Sequence, residues 1–318
     1  MVATVAMAVI APLAATAQQS RPAAQYVPRG KEVVFGTTVS PDVPRRVIFA
    51  GDTIDLDRAD MWERLDQELT NIVYTHTKTL LTLKRANRYF AMLSKVLADN
   101  DVPQDFLYMA CTESLLDPLA VSPVKAAGMW QFMDGTARQF GLEVNSEVDE
   151  RYDPERATAA ACRYLKSAYA KYHDWATVAA SYNAGMNRIS TQLSQQAQSS
   201  SFDLYLNSET SRYVFRILAY KLLLHDPKRY GYRLMAHQLY QPLRYSTVAV
   251  SGPVDSWPDW AAQHGTTYAR LRDYNPWIRS TRLTNSQSKV YVVRIPEPGS
   301  NSRSQSSPVT YNPNWVVK

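Results

Sequence analysis

The sequence lacks the usual signatures of metal, nucleotide and nucleic-acid binding. Its five histidines have no metal-ligand spacing, and neither an HExxH pattern nor a paired-cysteine motif occurs, so no metal or other cofactor is expected. A glycine-rich phosphate loop is also missing. The net charge of +6 is dispersed, without a lysine or arginine block, which argues against nucleic acid as a partner. A dispersed positive charge suits a partner rich in carboxylates.

The chain also lacks a long apolar run of the kind that spans a membrane. Residues 1–17 are apolar, short and alanine-rich, and they end in Ala15-Thr16-Ala17, which predicts a signal peptide rather than a transmembrane helix. We therefore expect an exported protein of the periplasm or cell envelope. No cysteine follows this run, so a lipid anchor is not indicated, and peripheral association with the envelope stays open.

Cysteine is scarce, with only Cys111 and Cys162 in 318 residues. In an exported protein two cysteines are a candidate disulfide. The alternative is two small buried thiols. The sequence leaves both readings open.

A carboxylate lies on an apolar helical stripe. Phe106, Met109, Ala110 and Glu113 are spaced at i, i+3, i+4 and i+7, so they share one face of a predicted helix. Asp117-Pro118 predicts that this helix ends soon after Glu113. Partial burial and the negative helix C-terminus both favour the protonated carboxyl, as a general acid requires. The alternative is a structural glutamate paired to an arginine or a hydroxyl.

Further motifs follow Glu113-Ser114 along the chain. In order, they are Pro118-x-Ala120-x-Ser122 with residues 127–133, then Tyr182-Asn183-Ala184-Gly185, and then Glu209-Thr210-x-x-Tyr213-Val214. Together they resemble the motifs of the soluble lytic transglycosylases, which have a lysozyme-like fold. One such motif alone is a weak signal, whereas the full set in this order is specific. The resemblance is closest to the membrane-bound type D subgroup, in which LysM modules follow the catalytic domain.

This resemblance implies a mainly α chain, with a lysozyme-like helical catalytic domain followed by a small α+β (βααβ) LysM-like module. The predicted domains are a signal peptide (1–17), an N-terminal lead-in with a short helix (18–78), the catalytic domain (79–239), the LysM-like module (245–297) and a disordered tail (298–318). The stretch Tyr240–Tyr245 contains Pro242, and it predicts that the two units are separable.

Capping residues and composition predict details inside the catalytic domain. Asp153 before Pro154 is a helix N-cap, and Asp174 is another. Gly185 suits a left-handed position at a helix end. The serine- and glutamine-rich stretch Ser190–Ser201 predicts a flexible loop.

The match to a LysM module is looser. It depends on a strand, two helices and a strand, with Asn275-Pro276-Trp277 and a closing Tyr291–Pro296. The usual opening Gly-Asp is replaced by Gly252-Pro253, so the module is either a glycan-binding unit or a structural appendage.

The resemblance also implies roles for individual residues. Glu113 would be the catalytic acid and then the base, and Tyr213 would orient it. The residues implied in substrate binding are Ser122, Met129, Trp130, Gln131, Tyr182, Asn183 and Tyr213. Met129, Trp130 and the two tyrosines would form bulky walls of a glycan cleft.

The implied function is a peptidoglycan lytic transglycosylase. Such an enzyme cleaves the β-1,4 bond between N-acetylmuramic acid and N-acetylglucosamine, and it leaves 1,6-anhydro-N-acetylmuramic acid ends. A single glutamate suffices, and no second acid lies on a core-facing stripe beside a motif. The alternatives are a goose-type lysozyme that hydrolyses the same bond, and a non-catalytic peptidoglycan-binding protein.

Overall fold

The computed structural model describes residues 39–300, Ser302 and residues 308–317. The predicted signal peptide and the first part of the lead-in, residues 18–38, lie outside these residues. A β-hairpin and eight helices form the first part of the described chain. In order, these elements are β1 (Arg46–Phe49), β2 (Asp52–Asp55), α1 (Ala59–Tyr74), α2 (His76–Asp99), α3 (Leu107–Ser114), α4 (Asp134–Gln139), α5 (Pro154–Tyr172), α6 (Trp175–Ala184), α7 (Met186–Gln195) and α8 (Ser208–His225). None of the described helices combines the length and apolar character needed to cross a bilayer.

Helix α8 lies at the centre of the helical domain. It packs against α1, α3 and α6, and most of its residues between Tyr213 and Leu224 are buried. Helix α2 packs against α5, and the apolar residues that recur along it every three or four positions are buried: Leu83, Ala86, Phe90, Leu93 and Leu97. The helix N-caps are also confirmed, since the carboxylates of Asp153 and Asp174 accept hydrogen bonds from the first backbone N–H groups of α5 and α6.

The lead-in contributes to the same core. Strands β1 and β2 pair through a two-residue turn, Ala50-Gly51, in which both residues have positive φ, as the tightest hairpins require. Phe49 at the end of β1 meets Phe106, with ring centroids 5.7 Å apart. Leu65 of α1 is fully buried. The sequence indicates the turn at Gly51 but not the two strands.

Half of the stretch predicted as a flexible loop is helical. Helix α7 continues to Gln195, so the first half of Ser190–Ser201 is ordered helix. Ile189 is buried beneath it, and the Tyr172 hydroxyl donates to the carbonyl of Met186 at 2.7 Å. Polar composition therefore marked the exposed face of an amphipathic helix here rather than a loop.

The C-terminal module has the predicted order of strand, helix, helix and strand. Its elements are β3 (Tyr245–Val250), α9 (Trp257–Gln263), α10 (Tyr268–Tyr274) and β4 (Tyr291–Pro296). The strands are antiparallel, with Val248 opposite Val293. The buried amide of Asn275 donates to the carbonyls of Leu271 and Arg294, which ties α10 to β4. The predicted fold class, mainly α with a small βααβ module, is confirmed.

Residues 308–317 return to the helical domain. Trp315 is 1% exposed, and its Nε1 donates to the carbonyl of Leu224 at 2.6 Å. Its ring lies 5.7 Å from that of Phe90, and Asn87 of α2 binds the backbone of Val309. The prediction of a disordered tail is therefore wrong for these residues, because the buried Trp315 anchors the segment to the helical domain.

Candidate active site

Glu113 lies in the last turn of α3. A 3-10 turn, Gln104–Phe106, leads into the helix, and the predicted stripe of Phe106, Met109 and Ala110 is buried. The helix ends at Ser114 because Leu115 and Leu116 adopt the left-handed conformation, with φ of 56° and 58°. Two consecutive left-handed leucines are unusual, and they fix the end of α3 directly after the glutamate. The Glu113 side chain keeps part of its surface accessible.

Tyr213 of α8 orients this carboxyl. Its hydroxyl donates a hydrogen bond to Oε1 of Glu113, and the tyrosine side chain is almost fully buried. Because α8 packs along α3, the contact is held by two helices rather than by a loop.

The environment favours the protonated form of Glu113. Burial raises the pKa of this carboxyl from an ordinary 4.5 to about 7. The hydrogen bond from Tyr213 and the positive charge of Arg216 lower the pKa, and the negative charge of Glu209 raises it. Desolvation prevails, so the group is poised to give and take a proton near neutral pH.

Asn183 links the third and fourth motifs. Its Oδ1 accepts a hydrogen bond from the Thr210 hydroxyl at 2.9 Å, and its Nδ2 donates to Glu209 at 3.4 Å. Glu209 lies in the first turn of α8 and is exposed. Its position in the sequence carries no separate signal, although it belongs to the motif that contains Tyr213.

Ser122 and Gln131 lie in one compact loop, residues 120–132. The Ser122 hydroxyl accepts from the backbone N–H of Ala126 at 3.0 Å. The Gln131 amide donates to the carbonyls of Gly128 at 2.7 Å and Ala120 at 3.2 Å. The 120–132 loop joins the end of α3, since Ser114 Oγ donates to the carbonyl of Met129 at 2.8 Å. Both side chains thus brace the loop next to Glu113.

Two predicted cleft residues are core residues instead. The side chains of Met129 and Trp130 are both 0% exposed, so they form no wall that a glycan could touch. The indole Nε1 of Trp130 donates to Thr158 Oγ1 of α5 at 2.8 Å. The large ring fills the space between the 120–132 loop and α5, which makes it a packing residue.

Tyr182 anchors the 120–132 loop from α6. Its hydroxyl donates to the carbonyl of Trp130 at 2.8 Å. Its ring lies between those of Phe132 and Tyr164, at centroid distances of 5.9 and 4.9 Å. The helix-ending Gly185 has φ of 87°, the sign that its sequence position predicts.

Cys111 and Cys162 are free, buried thiols in the structure. Of the two alternatives, the structure therefore has two small buried thiols and not a disulfide. Burial raises the pKa of both thiols, that of Cys162 to about 12. Each therefore packs as a small apolar side chain.

A buried glutamate on α1 braces the helix that contains Tyr213. Glu68 pairs with Arg216 at 2.8 Å and with Arg212 at 3.2 Å, and its own side chain is 1% exposed. These arginines are four residues apart, on either side of Tyr213. Nothing local in the sequence indicates this pairing, because Glu68 falls on an otherwise apolar helical stripe.

Comparison with known proteins gives two domain matches. Residues 91–204 match the family described as Transglycosylase SLT domain. Residues 246–299 match the Soluble lytic transglycosylase C-terminal LysM-like domain. The chain thus contains a match to the transglycosylase SLT domain and a match to the LysM-like domain of soluble lytic transglycosylases, as its motifs predict.

Among curated proteins, the chain is similar to the membrane-bound lytic murein transglycosylase D of Escherichia coli (strain K12). The two are 28% identical over 279 residues, which is 85% of this chain and 60% of that protein. The soluble lytic murein transglycosylase of the same strain is 30% identical over 142 residues, or 42% of this chain and 22% of the relative. The chain thus spans about 60% of the length of the type D relative.

Among solved structures, the 70 kDa soluble lytic transglycosylase of Escherichia coli covers 43% of this chain and 24% of its own, with 28% identity and a TM-score of 0.36.

Proposed function

We propose that this chain is a peptidoglycan lytic transglycosylase that acts through Glu113 alone. The bond cleaved is the β-1,4 link between N-acetylmuramic acid and N-acetylglucosamine. The observation that supports this proposal is the partly accessible Glu113 carboxyl, whose pKa is raised to about 7 and whose position is set by Tyr213. A carboxyl with this pKa is both a competent acid and, once ionised, a competent base.

In the first step, Glu113 transfers its proton to the glycosidic oxygen of the departing sugar. Positive charge develops at C1 of N-acetylmuramic acid as the bond breaks, and the 2-acetamido group of that sugar helps to stabilise it. The Glu113 carboxylate formed in this step is stabilised by the Tyr213 hydroxyl that already faces it.

In the second step, the carboxylate takes the proton of the C6 hydroxyl, whose oxygen bonds to C1. The product is a 1,6-anhydro end, and Glu113 is again protonated. No water is consumed, so no base is needed to activate one. The reacting hydroxyl belongs to the sugar that is already bound, and this proximity favours ring closure over hydrolysis.

Ser122, Gln131, Tyr182 and Asn183 complete the proposed glycan site. They lie on the 120–132 loop and on α6, and each is partly accessible. In this proposal the protein is exported and works in the periplasm or at the cell envelope. The LysM-like module would add affinity for glycan strands.

Glu209 supports a second candidate, hydrolysis of the same bond in the manner of a goose-type lysozyme. Its charge acts on Glu113, and it belongs to the helix that holds Tyr213. A second carboxylate could activate a water on the opposite face of the sugar. The exposure of Glu209 and its contact with Asn183 favour a role in holding the site together instead.

Digestion of purified sacculi followed by mass spectrometry tests the proposal. The wild-type chain should release muropeptides with 1,6-anhydro ends. Glu113→Gln should release none, whereas Glu63→Gln, which alters an exposed carboxylate of α1, should behave as wild type. Reducing ends as the main product would support the lysozyme alternative, and full activity of a folded Glu113→Gln variant would exclude Glu113 as the acid.

A further inference from the structure

The C-terminal module is built onto a segment of the helical domain, residues 143–153. Val148 is 1% exposed and belongs to the module's own apolar core, where it pairs with Ile278 in a β-bridge. The backbone N–H of Asp149 donates to the carbonyl of Trp277 at 2.9 Å, and the backbone N–H of Arg279 donates to the carbonyl of Glu147 at 2.8 Å. The module thus completes its core with a residue of the other unit, contrary to the prediction of two separable units.

Charged contacts surround this apolar contact. Lys289 binds Glu143 at 2.6 Å and Glu150 at 3.0 Å. Arg294 binds Asp153, the N-cap of α5, at 2.9 Å. The guanidinium of Arg279 lies 4.2 Å from the ring centre of Tyr152. Every one of these contacts falls within the 143–153 segment.

The same segment holds the 120–132 loop. The Arg151 guanidinium donates to the carbonyls of Lys125 and Phe132, each at 3.2 Å, which lie on two different arms of the loop. Its other edge pairs with Asp149 at 2.7 Å, and both side chains are nearly buried. The backbone of Arg151 also passes so close to Gly128 that a Cβ there would lie 1.8 Å from the Arg151 carbonyl oxygen.

We propose that Arg151 is a positioning residue, which fixes the 120–132 loop beside Glu113 and couples that loop to the docked C-terminal module through Asp149. The backbone N–H of Asp149 binds the module, and the carboxylate of the same residue binds the guanidinium of Arg151. The planar guanidinium of arginine has several N–H donors, so it can bind a carboxylate and two carbonyls at once, whereas a lysine ammonium does this less well. The module then supports substrate binding by holding the 120–132 loop in shape, as well as by any glycan affinity of its own.

Amide hydrogen exchange of the protein tests the positioning role of Arg151 without reference to activity. The double variant Asp149→Asn with Arg151→Gln avoids leaving a buried charge unpaired. It should speed exchange of the Ala127, Gly128 and Phe132 amides by about tenfold or more, while amides of α5 stay protected. Arg151→Lys should give a smaller change. Arg138→Gln is the matched control, since it removes an exposed arginine pair with Asp134 on α4.

Val148→Asp tests the coupling to the module. The new charge lies in the module's apolar core, so docking weakens, and the same loop amides should exchange faster. An unchanged 120–132 loop in Val148→Asp, with the module's own amides deprotected, would overturn the coupling. Unchanged loop exchange in the Asp149/Arg151 double variant would overturn the positioning role.

The kinetic readout rests on the proposed function. With soluble glycan strands, the double variant should raise KM by about fivefold or more with kcat within about twofold, because the loop binds substrate and does not transfer protons. Arg151→Lys should restore part of the loss. Unchanged KM with faster loop exchange would contradict the positioning role. If the wild-type chain cleaves no glycan, the proposed function fails, and hydrogen exchange alone decides this inference.

Discussion

Replacing Glu113 by glutamine changes both activity and the pH dependence of stability. The glutamine carbonyl can still accept the Tyr213 hydrogen bond, so the fold should persist. The ordinary pKa of a glutamate is 4.5, and burial raises the pKa of Glu113 to about 7 in the folded protein. A raised folded pKa stabilises the protein fully below about pH 4.5, and this contribution is lost as the pH rises through about 7.

The interval between these pKa values sets the size of the effect. At about 1.4 kcal/mol per tenfold change, ionising Glu113 in the folded protein costs about 3 kcal/mol. Glutamine never ionises and escapes this cost. The unfolding free energy of Glu113→Gln relative to wild type should therefore increase by up to about 3 kcal/mol between pH 4 and pH 8.5.

Urea unfolding at a series of pH values measures this difference. Glu63→Gln, on the exposed face of α1, is the control and should show no such trend. Parallel stability curves for wild type and Glu113→Gln would refute the reasoning that desolvation keeps this carboxyl protonated. The same Glu113→Gln protein should lose glycan cleavage by orders of magnitude, since it has no proton to transfer.

Further variants test other parts of the structure. In a pH–rate profile, wild-type kcat/KM should fall above about pH 7 as Glu113 ionises. Tyr213→Phe should move this fall to higher pH, because it removes a hydrogen bond that lowers the pKa of Glu113. Tyr213→Phe should also lower kcat by about tenfold or more, through loss of orientation. Gly128→Ala should destabilise the protein by more than about 1 kcal/mol in urea unfolding, because φ is +78° and Arg151 blocks the Cβ. Trp315→Ala should cost about 3 to 5 kcal/mol in the same assay, and a neutral effect would show that the C-terminal segment is not anchored.

Local rules predicted most of the helical framework. Periodicity and capping act over a few residues. They account for the apolar stripes of α2 and α3, the caps at Asp153 and Asp174, and the end of α3 near Asp117-Pro118. The raised pKa of Glu113 follows from the same stripe. These features required no knowledge of which helices meet.

Features that depend on distant contacts were not predictable in this way. Trp130 looks the same in sequence whether it lines a cleft or fills the space against α5. The burial of Trp315 depends on a gap between α2 and α8 that forms only after folding. The pairing of Glu68 with Arg212 and Arg216 joins α1 to α8.

The docking of the C-terminal module shows the same limit. Val148 belongs to a polar segment, and nothing local indicates that it completes the core of a unit about a hundred residues further on. Pro242 predicts a boundary between the two units in sequence. It gives no information on how tightly they are joined.

Digestion of peptidoglycan in heavy-oxygen water tests the single-acid mechanism most directly. If Glu113 acts as acid and then as base on the C6 hydroxyl, the new muramyl ends contain only oxygen from the substrate. Mass spectrometry should then find 1,6-anhydro ends without the heavy isotope. Reducing ends that contain heavy oxygen as the main product would contradict this mechanism and would identify a water-activating base, with Glu209 as the first residue to substitute.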